Sequence, residues 1–300
     1  MSRDLSIHAS AVVQKDFSLT FVTPMVMHGA NPSKTAEFRI PSVKGIFRYW
    51  WRTLQDETNS TLLLEKEEAC FGGTIRQKLK SPVSLILQQP LTGIKPENVL
   101  PHKSSSFRPK SMDVNKKVEV TVKTLRKHQE QFDTYDLYFQ YMLHLAGMGQ
   151  RARRGFGACQ WDEHQWEKVD EFAHTLKEVL KKLSVHDQFD FSLYENCILK
   201  RKKKANTSHP VLSAVWIGQG KETHQEVLRM FGEASHKANR FGNLGSAKPR
   251  FASPLWCTVR KIGDLYYPIV TEVQAKDERY TNAKYERDRA EFLRVVGVSV

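Results

Sequence analysis

The order of strand-like and helix-like segments limits most strongly what this chain can fold into. Alternation of apolar and polar residues indicates a half-buried strand, and apolar residues recurring every three or four positions indicate a helix. The first half of the chain has the order strand, helix, strand, strand, helix, strand, which predicts an antiparallel sheet with its helices on one face, the ferredoxin-like arrangement. The predicted segments are Phe17–Thr23, a helix with Ser42 as its N-cap, Pro82–Gln89, Val118–Leu125, Tyr135–Ala146 and Phe156–Trp161.

A similar order in the second half predicts a second ferredoxin-like domain, in which the apolar tail 295–300 supplies a weak last strand. We therefore expect an α+β protein with two antiparallel sheets. Its first domain would span residues 1–162, a connecting helix and basic linker 163–205, and a second domain 206–300. The segments predicted in the second half are Val211–Ile217, Glu222–Lys237, Pro254–Lys261, Leu265–Ala275 and Asp277–Arg294.

The predicted connection between the domains contains an amphipathic helix, 162–184, and a run of basic residues, Lys200–Lys204. Apolar side chains recur at every third or fourth position of the helix. The basic run is either a solvated loop between domains or a contact for phosphate groups. The sequence leaves both alternatives open.

Charge is the compositional feature that bears most on function. The chain has 46 Lys and Arg against 33 Asp and Glu, which gives a formal net charge of +13 at pH 7. Such a balance favours nucleic acid or an anionic surface as a partner. An ordinary basic protein without such a partner is the alternative.

Membrane, disulfide and metal chemistry are not indicated by the sequence. No apolar run reaches the roughly 18 residues that a membrane helix needs, and the N-terminus lacks the apolar core of a signal peptide. The four cysteines have no CxxC spacing, and the histidines have no HxH or HxxxH spacing. We therefore expect a cytoplasmic protein with free thiols, no bound metal and no cofactor.

A glycine-rich segment, Gly147–Gly157, follows a predicted helix and precedes a predicted strand. Dinucleotide-binding loops have the opposite order, strand before and helix after, and no Gly-Lys-Ser/Thr of a Walker loop is present. Glycine permits positive φ and close approach of another molecule, and guanidinium groups match phosphate oxygens. The residues that suggest phosphate binding are Gly147, Gly149, Gly155 and Gly157 together with Arg151, Arg153 and Arg154.

The first predicted helix carries a row of basic residues beside aromatic residues. Lys44, Arg48 and Arg52 recur every four positions and therefore line one face. Tyr49 and Trp51 are expected to be exposed beside this row, an arrangement that suits phosphates with bases stacked nearby. A solvated basic face, with Trp51 packed in the core, is the alternative.

Residues 91–117 are polar, basic and without periodicity, which predicts a long flexible loop. Long loops in compact domains are often functional, and a basic one suits nucleic acid. Disorder without a binding role is equally consistent with this composition.

Short motifs in the chain have a recognisable combination. They are Thr23-Pro24, Arg39–Arg52 (RIPSVKGIFRYWWR), Glu67–Gly73 (EEACFGG), Gly147–Gly157 (GMGQRARRGFG) and, more weakly, Lys248–Leu255. Together these motifs, which cover mainly the first 160 residues, resemble the RAMP superfamily of CRISPR proteins. Within that superfamily the resemblance is to the first subunit of Cmr, the type III-B RNA-targeting effector complex.

The resemblance implies two ferredoxin-like domains, with the glycine-rich loop between the second helix and the fourth strand of the first domain. It also implies a ribonucleoprotein subunit near the 3′ end of the guide RNA that contacts other Cmr RAMP subunits and helps to capture target RNA in antiviral defence. Subunits of this kind neither cut the target nor make cyclic oligoadenylate. The chain is therefore expected to be a non-catalytic RNA-binding subunit with guide RNA and target RNA as partners.

We accordingly predict an RNA-binding groove between two facing rows of cations. Lys and Arg side chains can hold phosphates and 2′-hydroxyls without reading bases, since pairing between guide and target supplies the sequence specificity. The predicted groove has Lys44, Arg48 and Arg52 on one side, Arg151, Arg153 and Arg154 on the other across the sheet edge, Arg39 at one end, and His28 and Trp51 as lesser contacts.

The rival hypothesis is a metal-independent endoribonuclease that processes CRISPR repeat RNA, as some members of this superfamily do. His28 follows the first strand and Lys44 is near it in sequence, so a base and a cation could act together in acid–base cleavage. A structural hydrogen bond is the alternative role of His28. A single-stranded nucleic-acid chaperone or ribosomal factor is a third hypothesis.

Overall fold

Strands and helices alternate along the described chain. The computed structural model describes residues 11–74, 78–103, 107–191 and 196–299. The strands are β1 (Val12–Phe21), β2 (Ala36–Glu37), β3 (Val83–Leu87), β4 (Thr92–Gly93), β5 (Lys95–Pro96), β6 (Lys110–Ser111), β7 (Lys117–Leu125), β8 (Cys159–Trp161), β9 (Phe189–Asp190), β10 (Cys197–Arg201), β11 (Val211–Ile217), β12 (Ser246–Ala247), β13 (Arg250–Phe251), β14 (Leu255–Ile262) and β15 (Leu265–Gln274). The helices are α1 (Ile40–Arg52), α2 (Ser60–Phe71), α3 (Gln129–Leu145), α4 (Val169–Lys182), α5 (His224–Ala238) and α6 (Ala283–Val295).

The first half of the chain forms a four-stranded sheet in the order β3-β7-β1-β8, with every neighbouring pair antiparallel. Alternation along β1 turns Phe17, Leu19 and Phe21 into the core. Helices α1 and α3 cover this face, where the ring of Phe139 lies 4.8 Å from that of Phe17 and 5.4 Å from that of Phe47. The strand and helix order predicted for this half is therefore present.

Helix α1 begins earlier than its sequence suggested. Arg39 is the N-cap residue and Pro41 lies in the first turn, so the prediction of Ser42 as the N-cap was wrong. Proline suits the first turn because its missing N–H would have no intrahelical partner there and its φ is already helical.

The second half forms a five-stranded antiparallel sheet in the order β14-β15-β11-β10-β9. Helices α5 and α6 pack against each other, and α5 packs against β14 and β15. Helix α6 contacts the sheet through Tyr285 and Arg289, which bind the carboxylate of Glu272 in β15. The weak last strand predicted for 295–300 is not formed in its described part, 295–299. β10 instead occupies the position beside β11, because its Ile198 and Leu199 are apolar and become buried there.

The prediction that 163–205 holds only a helix and a linker was therefore wrong, since this range contributes β9 and β10 to the second sheet. Arg201 of the basic run lies in β10, where its Nε donates to the carbonyl of Leu212 at 2.7 Å and its Nη1 forms an ion pair with Asp56 at 2.9 Å. Lys202–Lys204 are exposed. The basic run is thus partly structural and partly solvated.

The range 91–117 is not a single flexible loop. Strands β4, β5 and β6 lie within it, and β4 pairs with β2 while β5 pairs with β6. Val99 and Met112 are buried and anchor the segment to the core. Residues 104–106, also in this range, lie outside the described residues.

Arg260 of β14 connects the two halves of the molecule. Its side chain is fully buried and donates hydrogen bonds to the carbonyl groups of Leu143, His144 and Ala146 at 2.5, 3.0 and 2.9 Å. These groups stand at the C-terminal end of α3, where carbonyls have no partner within the helix and a cation is favourable. Burial lowers the pKa of Arg260 to about 10, so the guanidinium stays charged at neutral pH.

Candidate nucleic-acid interface

The glycine-rich loop is packed between the two halves of the molecule. The backbone N–H of Gly157 donates to the carbonyl of Pro24 at 2.9 Å, and that of Gly155 donates to the carbonyl of Cys257 at 3.0 Å. The Thr23 hydroxyl donates to the carbonyl of Gly155 at 2.7 Å. The Thr23-Pro24 motif therefore holds the loop in place from the end of β1.

Close packing within the chain explains the glycines of this loop. Gly149 and Gly155 have φ of 79° and 86°, in the left-handed region that disfavours side chains. A Cβ on Gly155 would lie 2.8 Å from Phe231 and 2.9 Å from Leu228, both on α5. The close approach that the sequence suggested for a ligand is made at this position by the second half of the protein itself.

Two of the three arginines of the loop serve the junction between the halves. The Arg153 guanidinium donates to the carbonyl of Ser253 and lies over the rings of Trp256 and Tyr49, at 4.4 and 5.3 Å from their centroids. Arg154 donates to the carbonyl of Leu244 at 3.4 Å, and burial lowers its pKa. These two side chains bridge the loop to the second half.

Arg151 differs from its two neighbours. It is the most exposed of the three and has a left-handed φ of 60°. A non-glycine residue in this region is uncommon and is enriched at functional sites. Arg151 is therefore the arginine of this loop best placed to meet a partner.

The basic row on α1 is largely engaged by α2. Arg48 and Arg52 form ion pairs with Glu67 at 3.6 and 2.7 Å, and Glu67 is only 4% exposed. Arg48 also donates to the carbonyls of Phe71 and Gly72 at the C-terminal end of α2. The EEACFGG motif is thus explained by its contact with α1, and both arginines hold two helices together.

The structure does not bring the two predicted rows together into one groove. Arg48 contacts Glu67 on one flank of α1, whereas Arg153 contacts Tyr49, which lies on the flank that meets the second half. Lys44 is half-buried. The contacts of Arg48 and Arg153 with different neighbours of α1 give no support to a groove between facing rows.

Trp51 is buried, with 3% of its surface exposed, so its predicted exposure was wrong. Its ring packs against those of Phe71 and Tyr138, with centroids 5.9 and 6.3 Å away. Trp51 lies four positions after Phe47 and therefore shares its core-facing side of α1. The core-packing alternative describes this residue.

Arg39 and His28 lie side by side after β1. Arg39 donates to the carbonyl of His28 at 3.3 Å and forms an ion pair with Glu37 at 3.3 Å. His28 Nε2 donates to the carbonyl of Lys110 at 3.0 Å, which is the structural hydrogen bond foreseen as its alternative role. The backbone N–H of Gln150 donates to the carbonyl of Val26 at 2.6 Å. The segment that carries Arg151 therefore runs beside the segment that carries His28.

A cleft of about 440 Å³ opens where the glycine-rich loop meets the second half, and we call it the junction cleft. The wall of the cleft that the second half supplies includes Phe251, Ser253 and Trp256. None of these three residues was part of the groove predicted from the sequence. The weak Lys248–Leu255 motif was a sequence signal for Phe251 and Ser253, which lie within it, and Trp256 follows it directly. The residues that line the junction cleft are Ile46, Gly149, Arg151, Ala152, Arg153, Arg154, Gly245, Ser246, Ala247, Phe251, Ser253 and Trp256.

Metal-binding clusters and membrane-spanning helices are absent from the described ranges. No cluster of three or more His, Cys, Asp or Glu side chains with metal-binding geometry occurs among residues 11–74, 78–103, 107–191 and 196–299. Within the same ranges, no helix is long and apolar enough to span a bilayer.

Sequence comparison relates the first half of the chain to a known family. The profile of the RAMP superfamily matches residues 18–160. The CRISPR system Cmr subunit Cmr1-2 of Pyrococcus furiosus is 41% identical over 61 residues, which are 19% of this chain and 32% of that protein. The match thus spans about a third of that relative's length.

Solved structures share the fold over most of the chain. The crystal structure of Cmr1 from Pyrococcus furiosus in its apo form superposes with a TM-score of 0.62 at 19% identity, covering 88% of this chain and 89% of that chain. A chain in the cryo-EM structure of the type III-B Cmr-beta complex bound to cognate target RNA gives 0.57 at 12% identity, covering 94% and 100%. At these identities the likeness concerns the fold.

Proposed function

We propose that the protein is a non-catalytic, RNA-binding subunit of a type III-B (Cmr) CRISPR effector complex, starting from the match of residues 18–160 to the profile of the RAMP superfamily. The observation that carries the proposal is the junction cleft, where Arg151 lies exposed on a loop fixed between the two halves. A loop that is already held in place and presents a guanidinium suits phosphate binding, because little ordering of the loop is then needed on association.

Both halves are interpreted as ferredoxin-like domains. The order β3-β7-β1-β8 supports this for the first half. In the second half, β14, β15 and β11 keep the corresponding order, and β10 takes the place of the missing last strand. Domain boundaries that count β9 and β10 with the second domain fit these sheets better than a linker over 163–205.

RNA lies along the junction cleft in this proposal. Arg151 and Arg39 contact phosphates and 2′-hydroxyls, which position RNA without reading its bases. The other arginines support this site indirectly and do not contact RNA. Arg48 and Arg52 fix α1 against α2, and Arg153 and Arg154 fix the glycine-rich loop. For Lys44, contact with RNA stays a prediction.

The proposed partners are guide RNA, target RNA and the neighbouring Cmr RAMP subunits, with the chain near the guide 3′ end and in the cytoplasm. Support comes from the local similarity to a Cmr subunit and from the fold shared with a chain of an RNA-bound Cmr complex. Copurification of the chain with the other subunits of its own complex would test assembly directly.

The RNA-binding proposal is tested by measuring affinity for single-stranded RNA against salt concentration. Each phosphate contact contributes a slope of about −0.7 in log affinity against log salt, so Arg151→Ala should weaken binding and make the slope shallower by about 0.7. Arg48→Ala is the matched control, expected to lower stability and leave the slope unchanged. An unchanged affinity and slope for Arg151→Ala would contradict the proposal, and a shallower slope for Arg48→Ala would restore the basic row as an RNA contact.

The non-catalytic assignment has its own test. Labelled CRISPR repeat RNA is incubated with the protein in EDTA, and no discrete cleavage is expected. Cleavage that disappears in His28→Ala would show acid–base catalysis and support the endoribonuclease hypothesis instead.

A further inference from the structure

Aromatic rings with cations stacked on them form a distinct surface on the second half. The two rings belong to the segment between α5 and β14, and the cations belong to the segment that ends in α6. None of these residues entered the groove predicted from the sequence. We call this the Phe241 surface, and it consists of Phe241, Phe251, Arg279, Lys284 and Arg287.

Phe241 is held in place but remains open to solvent. The Nζ of Lys284 and the Cζ of Arg287 lie 5.3 and 4.7 Å from its ring centroid. These cations stand three positions apart on α6 and so approach from one flank. Nearly half of Phe241, 47%, is exposed. Its backbone N–H donates to the carboxylate of Asp288 at 3.4 Å, which ties the loop to α6.

Phe251 makes the surface continuous with the junction cleft. Its ring lines the cleft, and the guanidinium of Arg279 lies 3.8 Å from its centroid. Asp277 pairs with Arg279 and holds this guanidinium in position. A ligand that extends from the cleft past Phe251 would therefore contact the guanidinium of Arg279, which is stacked on the Phe251 ring.

Positive charge surrounds the two rings. Exposed carboxylates are fewer here, namely Glu278 and Glu286. The surface therefore attracts an anionic chain, and its exposed ring offers a site for a flat apolar group. The exposed basic residues in the same two segments are Arg240, Lys248, Arg250, Lys276, Arg279, Lys284, Arg287 and Arg294.

We infer that the Phe241 surface binds single-stranded RNA that continues from the junction cleft. A base stacks on the open part of the Phe241 ring, and Arg287, Lys284 and Arg250 contact the flanking phosphates. Alternation of stacking rings and cations is how proteins hold single strands without sequence preference. The inference rests on the proposed function and adds to it a binding site in the second half.

Single-stranded RNA fits better than a duplex. A base can stack on a protein side chain only when it is unstacked from the neighbouring bases, and bases inside a duplex are already stacked on one another. A duplex would contact only the cations of this surface, and no base would stack on the exposed ring of Phe241.

The test uses the whole chain and fluorescein-labelled oligouridine of about four and about 16 nucleotides, the range of site sizes known for single-strand binders. Affinity is measured by anisotropy over a series of salt concentrations. Phe241→Ala should weaken binding of the long RNA about fivefold or more with an unchanged salt slope, because a stacking contact is lost. Arg287→Ala should make the slope shallower by about 0.7. The short RNA, held in the cleft, should respond to neither substitution.

A second pair of substitutions controls for general effects of removing a ring or a cation. Phe191 and Lys177 form a similar pair, with the Nζ 5.3 Å from the ring centroid, outside the Phe241 surface. Phe191→Ala and Lys177→Ala should leave both affinities unchanged. Phe241→Leu keeps an apolar side chain but no aromatic face, so it should bind the long RNA as weakly as Phe241→Ala.

Failure of this inference is distinguishable from failure of the proposed function. Long-RNA binding that is unchanged in both Phe241→Ala and Arg287→Ala, or restored fully in Phe241→Leu, would overturn the inference. If Arg151→Ala still weakens binding of the short RNA in that case, the proposal that the junction cleft binds RNA is retained. Equal weakening by Phe241→Ala of a hairpin duplex of matched charge would also overturn the single-strand assignment.

Discussion

His144 and His164 are buried beneath the junction between the halves, and their burial links stability to pH. Their rings lie 4.4 Å apart. Burial lowers the pKa of His144 to about 4, and the charge of Arg260 acts in the same direction. Burial also depresses the pKa of His164, with His144 and Arg260 adding to the effect. Both imidazoles are therefore neutral in the folded protein at pH 7.

Acidification is expected to destabilise the protein through these groups. In the unfolded chain a histidine takes up its proton near pH 6.5, whereas folded His144 does so only near pH 4. Between these values the unfolded state binds more protons, so the free energy of unfolding should fall as the pH falls. Urea titrations at several pH values measure this slope. His144→Gln should make it shallower by up to one proton, and an unchanged slope would show that His144 is not responsible.

At the scale of elements, two glycines in different settings show how position decides the effect of a substitution. Gly45 lies mid-helix in α1 with no atom near its missing Cβ. Gly155 lies in the glycine-rich loop with a left-handed φ and with Phe231 and Leu228 against it. The same change of residue should therefore have opposite effects on stability.

Gly155→Ala is expected to destabilise the protein by about 1–3 kcal/mol, since it forces a side chain into the left-handed region and onto α5. Gly45→Ala should stabilise it by about 0.5–1 kcal/mol, because alanine loses less entropy in a helix. Chemical denaturation of both variants measures the difference. A neutral Gly155→Ala would mean that the loop can shift away from α5.

The elements themselves were predictable to different extents. Helix α1 and strand β7 were found from local periodicity, because a buried face imposes a fixed spacing on the sequence. Strand β10 was not predicted, because its two buried apolar residues, Ile198 and Leu199, are followed at once by the basic run that begins at Lys200. The strand pattern is therefore too short to be recognised in the sequence. The contact of Glu67 with α1 was missed as well, because spacing within one helix does not reveal a partner on another.

At the scale of the whole molecule, side chains of one half complete the hydrogen bonding of the other. Arg260 caps α3, Arg153 reaches the carbonyl of Ser253, and Arg201 pairs with Asp56. The Trp256 indole donates to the Tyr49 hydroxyl at 3.0 Å. These contacts fix the position of the junction cleft, because its walls come from both halves.

Removal of the Arg260 guanidinium should weaken this connection more than any surface change. Arg260→Met leaves the buried carbonyls at the end of α3 without donors, so we expect a loss of about 3 kcal/mol in the free energy of unfolding. Arg294→Ala, which removes an exposed arginine paired with Glu291, should cost about 0.5 kcal/mol or less. Denaturant titration compares the two, and equal effects would mean that Arg260 contributes little to joining the halves.

The sequence by itself determined the strand and helix order of the first half, the family resemblance and the basic character of the chain. These properties reside in local spacing, in contiguous motifs and in composition. Only the tertiary structure decided which cations are available, since Arg48, Arg52, Arg153 and Arg154 have partners far away in the sequence. It also decided where the cleft lies, because residues around Arg151 and around Phe251 meet only when the two sheets pack together.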